Sequence, residues 1–148
     1  MSEIKDFLKR IEMFIGLTDE TLETIAGLCR PQTCPAGAVI IERNSPPDDF
    51  YLIRQGTVEI LTSPNEPVEG DDDSVVVTLG KGQSFGEMGL IDSGRRSATV
   101  RAATDVDLLA INCRDFLSLC ETDTTIGYHV MRNIAVDLSF KLRYRNLI

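Results

Sequence analysis

The chain has 148 residues, and its 23 Asp and Glu residues outnumber 15 Lys and Arg residues, which gives a net charge of −8 at pH 7. Hydrophobic residues make up 43% and charged residues 26%, a mix that is typical of one soluble globular domain and not of a disordered segment. The acidic balance argues against direct binding of nucleic acid, because phosphate groups need a basic face.

The beginning of the chain, residues 1–30, is predicted to form two helices. An amphipathic first helix over residues 2–14 is indicated by apolar side chains at helical spacing, namely Ile4, Phe7, Leu8, Ile11 and Phe14. Thr18 stands where an N-cap begins a second helix that runs towards Leu28, and the carboxylates after it suit the helix dipole. The prolines and glycine of RPQTCPAG, residues 30–37, then end the helix and begin an extended segment.

Residues 37–112 change to apolar alternation or short apolar runs, which are typical of β-strands. Gly56 lies where a hairpin needs a residue tolerant of positive φ. Short strands with no helix between them favour antiparallel pairing in a β-roll, sandwich or barrel. The predicted strands are residues 38–44, 50–56, 57–63 and 74–80, with a polar connection over 64–73, and two more strands within 97–112.

Helices are predicted again over residues 113–148. A short helix covers residues 113–122, and Asp123, Thr124 or Thr125 then offers a cap for a longer one. The longer helix carries an apolar stripe, formed by Ile126, Val130, Ile134, Leu138 and Leu142. This stripe fits packing on the domain's own barrel and pairing with a second copy of the chain equally well, so the pattern leaves both interpretations open.

Several functional classes lack their characteristic residues in this sequence. No apolar run is long enough to span a bilayer and the N-terminus lacks the order of a secretion signal, so we expect a cytoplasmic protein without a membrane partner. Four scattered cysteines and one histidine favour reduced thiols over a metal site, and the acidic run EGDDDS lacks the ligand order of a calcium loop. With no activated nucleophile, we expect no enzyme activity, no metal and no cofactor.

The segment 82–100, GQSFGEMGLIDSGRRSATV, combines glycines with charged residues in a way that suits a sugar phosphate. Gly86 permits close approach of a ligand, and amides of a helical turn after it would favour an anion. Arg96 offers a planar fork of donors for two phosphate oxygens, with the Ser97 hydroxyl beside it. Glu87, a pure acceptor, suits a ribose hydroxyl. From chemistry alone, a Glu87–Arg96 salt bridge that holds the loop is an equal alternative.

This segment resembles the phosphate-binding cassette of cyclic-nucleotide-binding domains of the catabolite activator and protein kinase A regulatory type. The matching runs are FGEMGLI at residues 85–91 and RSATV at 96–100, and PAGAVIIERNSPPDDFYLIRQGTVEI at 35–60 is similar to the family's opening strands. The resemblance implies a mainly β fold, an antiparallel β-roll (a jelly-roll-like double-stranded β-helix) over 37–112 with its cassette at 85–100. Helices over 1–30 and a helical lid over 113–148 would flank this roll in one domain.

The resemblance also implies roles for the cassette residues. Arg96 would hold the exocyclic phosphate oxygens, with Ser97 beside it and the amides after Gly86 assisting. Glu87 would accept a hydrogen bond from the ribose 2′-hydroxyl, and the backbone around Gly86 and Met88 would line the sugar.

The base and the lid are assigned in the same way. Val77, on the preceding strand, would offer the base an apolar wall, and Phe85 counts among the ligand-binding residues. In many family members the terminal helix folds over the base, which makes Lys141, Leu142 and Tyr144 candidate lid residues.

The function implied by the resemblance is that of a non-catalytic sensor. The ligand would be cyclic AMP in preference to cyclic GMP, because no residue offers an evident donor for guanine, and binding would move the C-terminal helix and signal to an unknown effector protein. The alternatives are a ligand-free structural module that forms a homodimer through the C-terminal helix, and a fragment of a larger regulated protein. Arg95 stands where many members have proline, and its side chain is expected to point outward because neighbours on a strand alternate faces.

Overall fold

The structure, a computed structural model, describes residues 2–62, 74–92 and 94–144. The helices are α1 Ser2–Leu8, α2 Asp19–Ala26, α3 Cys113–Thr122 and α4 Thr124–Tyr144, with 3₁₀ turns at Glu12–Phe14 and Glu87–Leu90. The strands are β1 Arg30–Cys34, β2 Val39–Ile41, β3 Asp49–Gln55, β4 Val58–Thr62, β5 Ser74–Leu79, β6 Ser84–Phe85, β7 Thr99–Ala102 and β8 Val106–Asn112. The polar connection that the sequence predicts at 64–73 lies outside the described residues.

The strands belong to one compact unit, Cys29–Arg114. They pair antiparallel in two four-stranded sheets, with the orders β1-β8-β3-β6 and β2-β7-β4-β5. Buried residues from both sheets, such as Ile53 of β3 and Val100 of β7, share one hydrophobic cluster, so the core lies between the sheets. This arrangement confirms the predicted mainly antiparallel β fold with helices before and after it.

Two features of the roll were not predicted as strands. β1 lies in the polar segment that was expected to be merely extended, and it pairs with β8 from the edge of its sheet, where Pro31 does not interrupt a central ladder. β6 has two residues, which is too short for a periodic pattern, and pairs Phe85 with Tyr51. By contrast, the prediction for Gly56 is confirmed: its φ is +87°, and a Cβ there would lie 2.3 Å from the Asp105 carbonyl oxygen.

The second compact unit consists of residues up to Leu28 and from Asp115 onward. α1 ends six residues before Phe14, yet Phe14 remains buried and packs on Phe116 with ring centroids 6.0 Å apart. The predicted first helix is therefore too long, because a 3₁₀ turn preserves the apolar spacing that indicated a helix. Thr18 caps α2 as predicted, since its hydroxyl oxygen accepts from the Thr21 amide at 3.2 Å. The prediction of a single domain over 1–148 stays a prediction.

α4 is buried along the first half of its predicted apolar stripe. Ile126, Val130 and Ile134 are buried, whereas Leu142 is 44% exposed. Asp123 caps this helix, because its carboxylate accepts from the Thr125 amide at 3.1 Å. Among the helices of the described residues, none combines the length and the apolar character that crossing a bilayer requires.

Candidate functional site

The cassette begins at a sharp change of direction after β6. Gly86 has a φ of +83°, a left-handed conformation that favours glycine, and the 3₁₀ turn Glu87–Leu90 follows at once. A Cβ at Gly86 would lie 3.1 Å from Nη1 of Arg96 and 3.3 Å from the Asp49 carbonyl oxygen. Both the backbone conformation and the close approach of the arginine therefore require glycine here.

Arg96 is fixed at both its backbone and its side chain. Nη1 donates to the Gly86 carbonyl at 2.8 Å, and Nη2 donates to the carbonyl of Asp49. The Arg96 amide donates to the Ser45 carbonyl at 2.9 Å, and the Asn44 amide donates to the Arg96 carbonyl at 2.8 Å. Because a guanidinium has five N–H groups, these contacts leave donors for an anionic ligand.

Glu87 has an oxygen that nothing in the described residues satisfies. Its Oε2 atom is shielded from solvent and has no hydrogen-bond partner in the described part of the chain. No ion pair joins Glu87 to Arg96 among these residues, so the alternative of a simple salt bridge is not what the structure contains. A buried acceptor without a donor is costly, and a hydroxyl group of a ligand would satisfy it.

The turn presents amides beside this carboxylate. The Gly89 amide donates to the Gly86 carbonyl at 3.2 Å and closes the turn. The two amides before it, those of Glu87 and Met88, have no acceptor inside a turn of this kind. Met88 is 46% exposed, so this residue of the turn lies at the surface of the protein.

The remaining predicted residues of the roll lie in different surroundings. Ser97 follows Arg96 and is exposed. Val77 is partly buried on β5, opposite Ile60 of β4. Phe85 is buried in the core and stacks on Tyr51 with 5.0 Å between the ring centroids. Its side chain therefore anchors the start of the cassette in the core. The direct ligand contacts of these residues stay predictions.

The candidate lid residues belong to the helical unit. Lys141 forms an ion pair with Asp137 of the same helix at 2.8 Å. Leu142 is 44% exposed and Tyr144 is 73% exposed. The predicted site residues are thus divided between the two compact units, and the lid contacts stay predictions.

The sequence indicates a turn at residues 45–49, between two predicted strands, but it did not indicate that the loop 42–49 supplies carbonyls that hold Arg96. Asn44 in this loop has a φ of +70°, and asparagine is among the non-glycine residues that adopt this conformation most readily. The signal available was an asparagine directly before SPP, which is typical of a turn. Arg95 is exposed and donates to the Asn44 carbonyl at 2.6 Å.

Cys113 packs behind the turn as an uncharged group. Its sulfur would lie 3.3 Å from a Cβ on Gly89, and its amide donates to the Asp48 carbonyl at 2.9 Å. Burial raises the pKa of the Cys113 thiol to about 11, which outweighs the opposite effect of the Arg96 guanidinium. The thiol is therefore protonated at neutral pH, and within the described part of the chain no cluster of metal-ligating side chains forms.

Known proteins are similar to this chain in sequence. The chain is 39% identical over 127 residues to a cyclic nucleotide-gated potassium channel from Mesorhizobium japonicum, covering 86% of this chain and 32% of the channel. It is 29% identical over 140 residues to the cyclic AMP receptor protein of Thermus thermophilus, covering 95% of this chain and 61% of that protein. The chain therefore spans less than two thirds of either relative.

A solved structure and a family model agree with these similarities. The crystal structure of the catabolite activator protein from Thermus thermophilus has a TM-score of 0.76 and 29% identity, covering 92% of this chain and 60% of that one. The model of the cyclic nucleotide-binding domain matches residues 31–123, well over half of the chain, and this match includes the whole roll from β2 to β8 and the cassette. The chain belongs to the cyclic nucleotide-binding domain family.

Proposed function

We propose that this chain is a non-catalytic sensor that binds a cyclic nucleotide at its cassette, with cyclic AMP preferred over cyclic GMP. The observation that carries the proposal is that the cassette contains both a fixed arginine fork, Arg96, and a shielded carboxylate oxygen, Oε2 of Glu87, that has no partner among the described residues. A cyclic nucleotide carries the complementary groups, an anionic phosphate and a ribose 2′-hydroxyl.

The phosphate is assigned to Arg96 and its neighbours. A charge-assisted, two-pronged contact from a guanidinium to phosphate oxygens is among the stronger polar interactions in proteins. The exposed Ser97 hydroxyl and the amides after Gly86 add further donors. The chain has a net charge of −8, so Arg96 would attract the phosphate group as a single positive site and not as part of a basic surface.

The ribose is assigned to Glu87. The free Oε2 atom would accept a hydrogen bond from the 2′-hydroxyl, which removes the cost of an unsatisfied buried acceptor. The backbone around Gly86 and Met88 would line the sugar.

We assign the base of the nucleotide to the apolar surface at Val77. The alternative ligand is cyclic GMP. Cyclic AMP is preferred because no evident donor for the guanine oxygen accompanies this surface.

The signal is assigned to α4. Binding would shift the helix between an open and a closed arrangement, with Lys141, Leu142 and Tyr144 as lid residues, and would report to an effector protein in the cytoplasm. Such a shift needs a ligand that binds one arrangement more tightly than the other. The difference between the two binding free energies sets the size of the response. The same device would serve a larger regulated protein of which this chain is a part.

Thermal unfolding with added nucleotide tests this proposal. At a concentration of about 100 times the Kd, one site adds ~2.7 kcal/mol to the free energy of unfolding and raises Tm. Cyclic AMP should raise Tm at lower concentration than cyclic GMP does, and adenosine, which lacks the phosphate, should have no effect. An unchanged Tm with both cyclic nucleotides would contradict the proposal.

A second candidate function, a dimerisation module with no ligand, is favoured by one observation. The far side of α4 exposes large apolar side chains, with Val136 51%, Phe140 60% and Tyr144 73% exposed, and the last two rings lie 4.5 Å apart. Pairing with a second copy through this helix would cover them. Native mass spectrometry distinguishes the candidates: a dimer that carries no nucleotide and binds none would favour the module.

A further inference from the structure

The loop 42–49 forms hydrogen bonds with both the backbone and the guanidinium group of Arg96. Ser45 and Asn44 form the two backbone hydrogen bonds to Arg96 described above, at 2.9 Å and 2.8 Å. Asp49 accepts from the tip of the same side chain. The loop therefore determines where the backbone of Arg96 runs and limits where its guanidinium points.

Arg95 holds the same loop from the solvent side. Its Nη1 atom donates to the Asn44 carbonyl at 2.6 Å. That carbonyl belongs to the peptide group that joins Asn44 to Ser45, the two residues that pair with the Arg96 backbone. The side chain of Arg95 and the backbone of Arg96 thus make three hydrogen bonds to one dipeptide.

Asn44 has a left-handed backbone conformation, which is unfavourable for most residues unless neighbouring contacts hold it in place. It is the non-glycine residue with positive φ in the described part of the chain. The Ser45 amide donates to the Glu42 carbonyl at 3.2 Å and closes the turn on the other side. A left-handed residue persists where its surroundings hold it, and the hydrogen bond from Arg95 is one of these restraints.

We propose that Arg95 is a positioning residue, which fixes the Asn44–Ser45 peptide and through it sets Arg96 for the phosphate group. The ligand in this inference rests on the proposed function, whereas the restraint on the loop is a property of the protein without ligand. The competing role for Arg95 is that of a second cation that attracts the phosphate directly. The two roles differ in their salt dependence and in their effect on the free protein.

Amide hydrogen exchange in the free protein tests the restraint alone. Arg95→Ala should speed exchange of the Asn44 and Arg96 amides about five-fold, the effect of one lost hydrogen bond. Lys81→Ala, which removes the same charge from another exposed position, should leave both rates at the parental value. Parental rates in Arg95→Ala would overturn the proposal, whether or not the protein binds a nucleotide.

Binding at two salt concentrations separates positioning from direct attraction. Arg95→Ala should weaken cyclic AMP binding about five-fold relative to the parent, and this ratio should persist between about 0.05 M and 1 M salt, where exposed charges are screened. Asn44→Val, which places a β-branched residue at positive φ, should weaken binding similarly, and Asn44→Gly should not.

Two results would overturn the proposal for ligand binding. One is a ratio between parent and Arg95→Ala that falls to one at high salt, which would make Arg95 a direct cation. The other is parental affinity in Asn44→Val. Absence of binding to both nucleotides by the parent would instead contradict the proposed function, and the exchange rates would still decide whether Arg95 restrains the loop.

Discussion

Nη1 of Arg96 donates to the backbone carbonyl of Gly86 at 2.8 Å, across ten residues of the chain. This bond joins the arginine of the cassette to the glycine at which the chain turns, so it restrains the position of the guanidinium relative to Gly86. A phosphate group would meet an arginine whose side chain is already ordered. Ordering a group before binding lowers the entropic cost of the complex.

Replacing Arg96 by lysine tests the geometry of the fork separately from its charge. A single ammonium cannot hold two carbonyls and two phosphate oxygens together, so Arg96→Lys should weaken cyclic AMP binding by about tenfold or more. Arg101→Lys is the matched control, because Arg101 pairs with Glu59 on β4 at 3.6 Å. Parental affinity in Arg96→Lys, measured by calorimetry, would contradict the assigned role.

Glu87→Gln should change stability little and should weaken binding. The glutamine amide keeps the size of the side chain and still places a polar atom at this shielded position, so Tm should change by no more than about 2 °C. The same change should weaken cyclic AMP binding, because an uncharged amide oxygen is a poorer acceptor for the ribose hydroxyl. Thermal unfolding and calorimetry measure the two effects.

Glu59→Gln is the control for this substitution, since it breaks a partly exposed ion pair between Glu59 of β4 and Arg101 of β7. It should change Tm little and binding not at all. A lower Tm together with unchanged binding in Glu87→Gln would show that the Glu87 carboxylate has a structural role instead.

Gly82 and Gly86 both have positive φ values, but only at Gly86 would an added Cβ contact other atoms. Comparing alanine substitutions at the two positions therefore separates the cost of backbone strain from the effect of that contact. Gly82 has a φ of +86° and Gly86 a φ of +83°, but an added Cβ meets nothing within 4 Å at Gly82 and lies 3.1 Å from Arg96 at Gly86. Each alanine substitution should cost about 1–2 kcal/mol through the left-handed conformation. Gly86→Ala should in addition displace the guanidinium and weaken binding, whereas Gly82→Ala should bind like the parent. Equal affinities for the two variants would contradict this interpretation.

The buried thiol of Cys113 should lower the free energy of unfolding at alkaline pH. Burial raises the pKa of its thiol from 9.0 to about 11, so between these values the folded protein holds a proton that the unfolded chain releases. The contribution of this thiol to the free energy of unfolding is therefore fully present below a pH of about 9 and is lost as pH rises from about 9 to about 11. Cys113→Ala should make the decline shallower, as denaturant unfolding across this range would show. An equally steep decline in the variant would contradict the assignment.

Local chemistry explains which features could be predicted from the sequence. Thr18 caps α2 and Gly86 turns the chain because a hydroxyl at a helix start and a glycine at positive φ act within a few residues. The residue types of the cassette therefore indicated a turn, an arginine fork and a carboxylate before any tertiary contact was known.

Contacts made by the backbone could not be predicted in this way. The carbonyls of Ser45 and Asp49 that hold Arg96 come from a loop distant in sequence, and a carbonyl leaves no trace in residue type. The polar strand β1 lacks an apolar pattern because its residues are largely exposed. The end of α1 was hidden because a 3₁₀ turn repeats a helix-like spacing up to Phe14.

Calorimetric titration of the parent and of Arg96→Ala with cyclic AMP tests the central claim most directly. We predict a saturable heat with one nucleotide bound per chain in the parent, and no measurable heat in the variant, whose circular dichroism spectrum should match that of the parent. Absence of heat in the parent with cyclic AMP and with cyclic GMP, or equal affinity in a folded Arg96→Ala, would contradict the account.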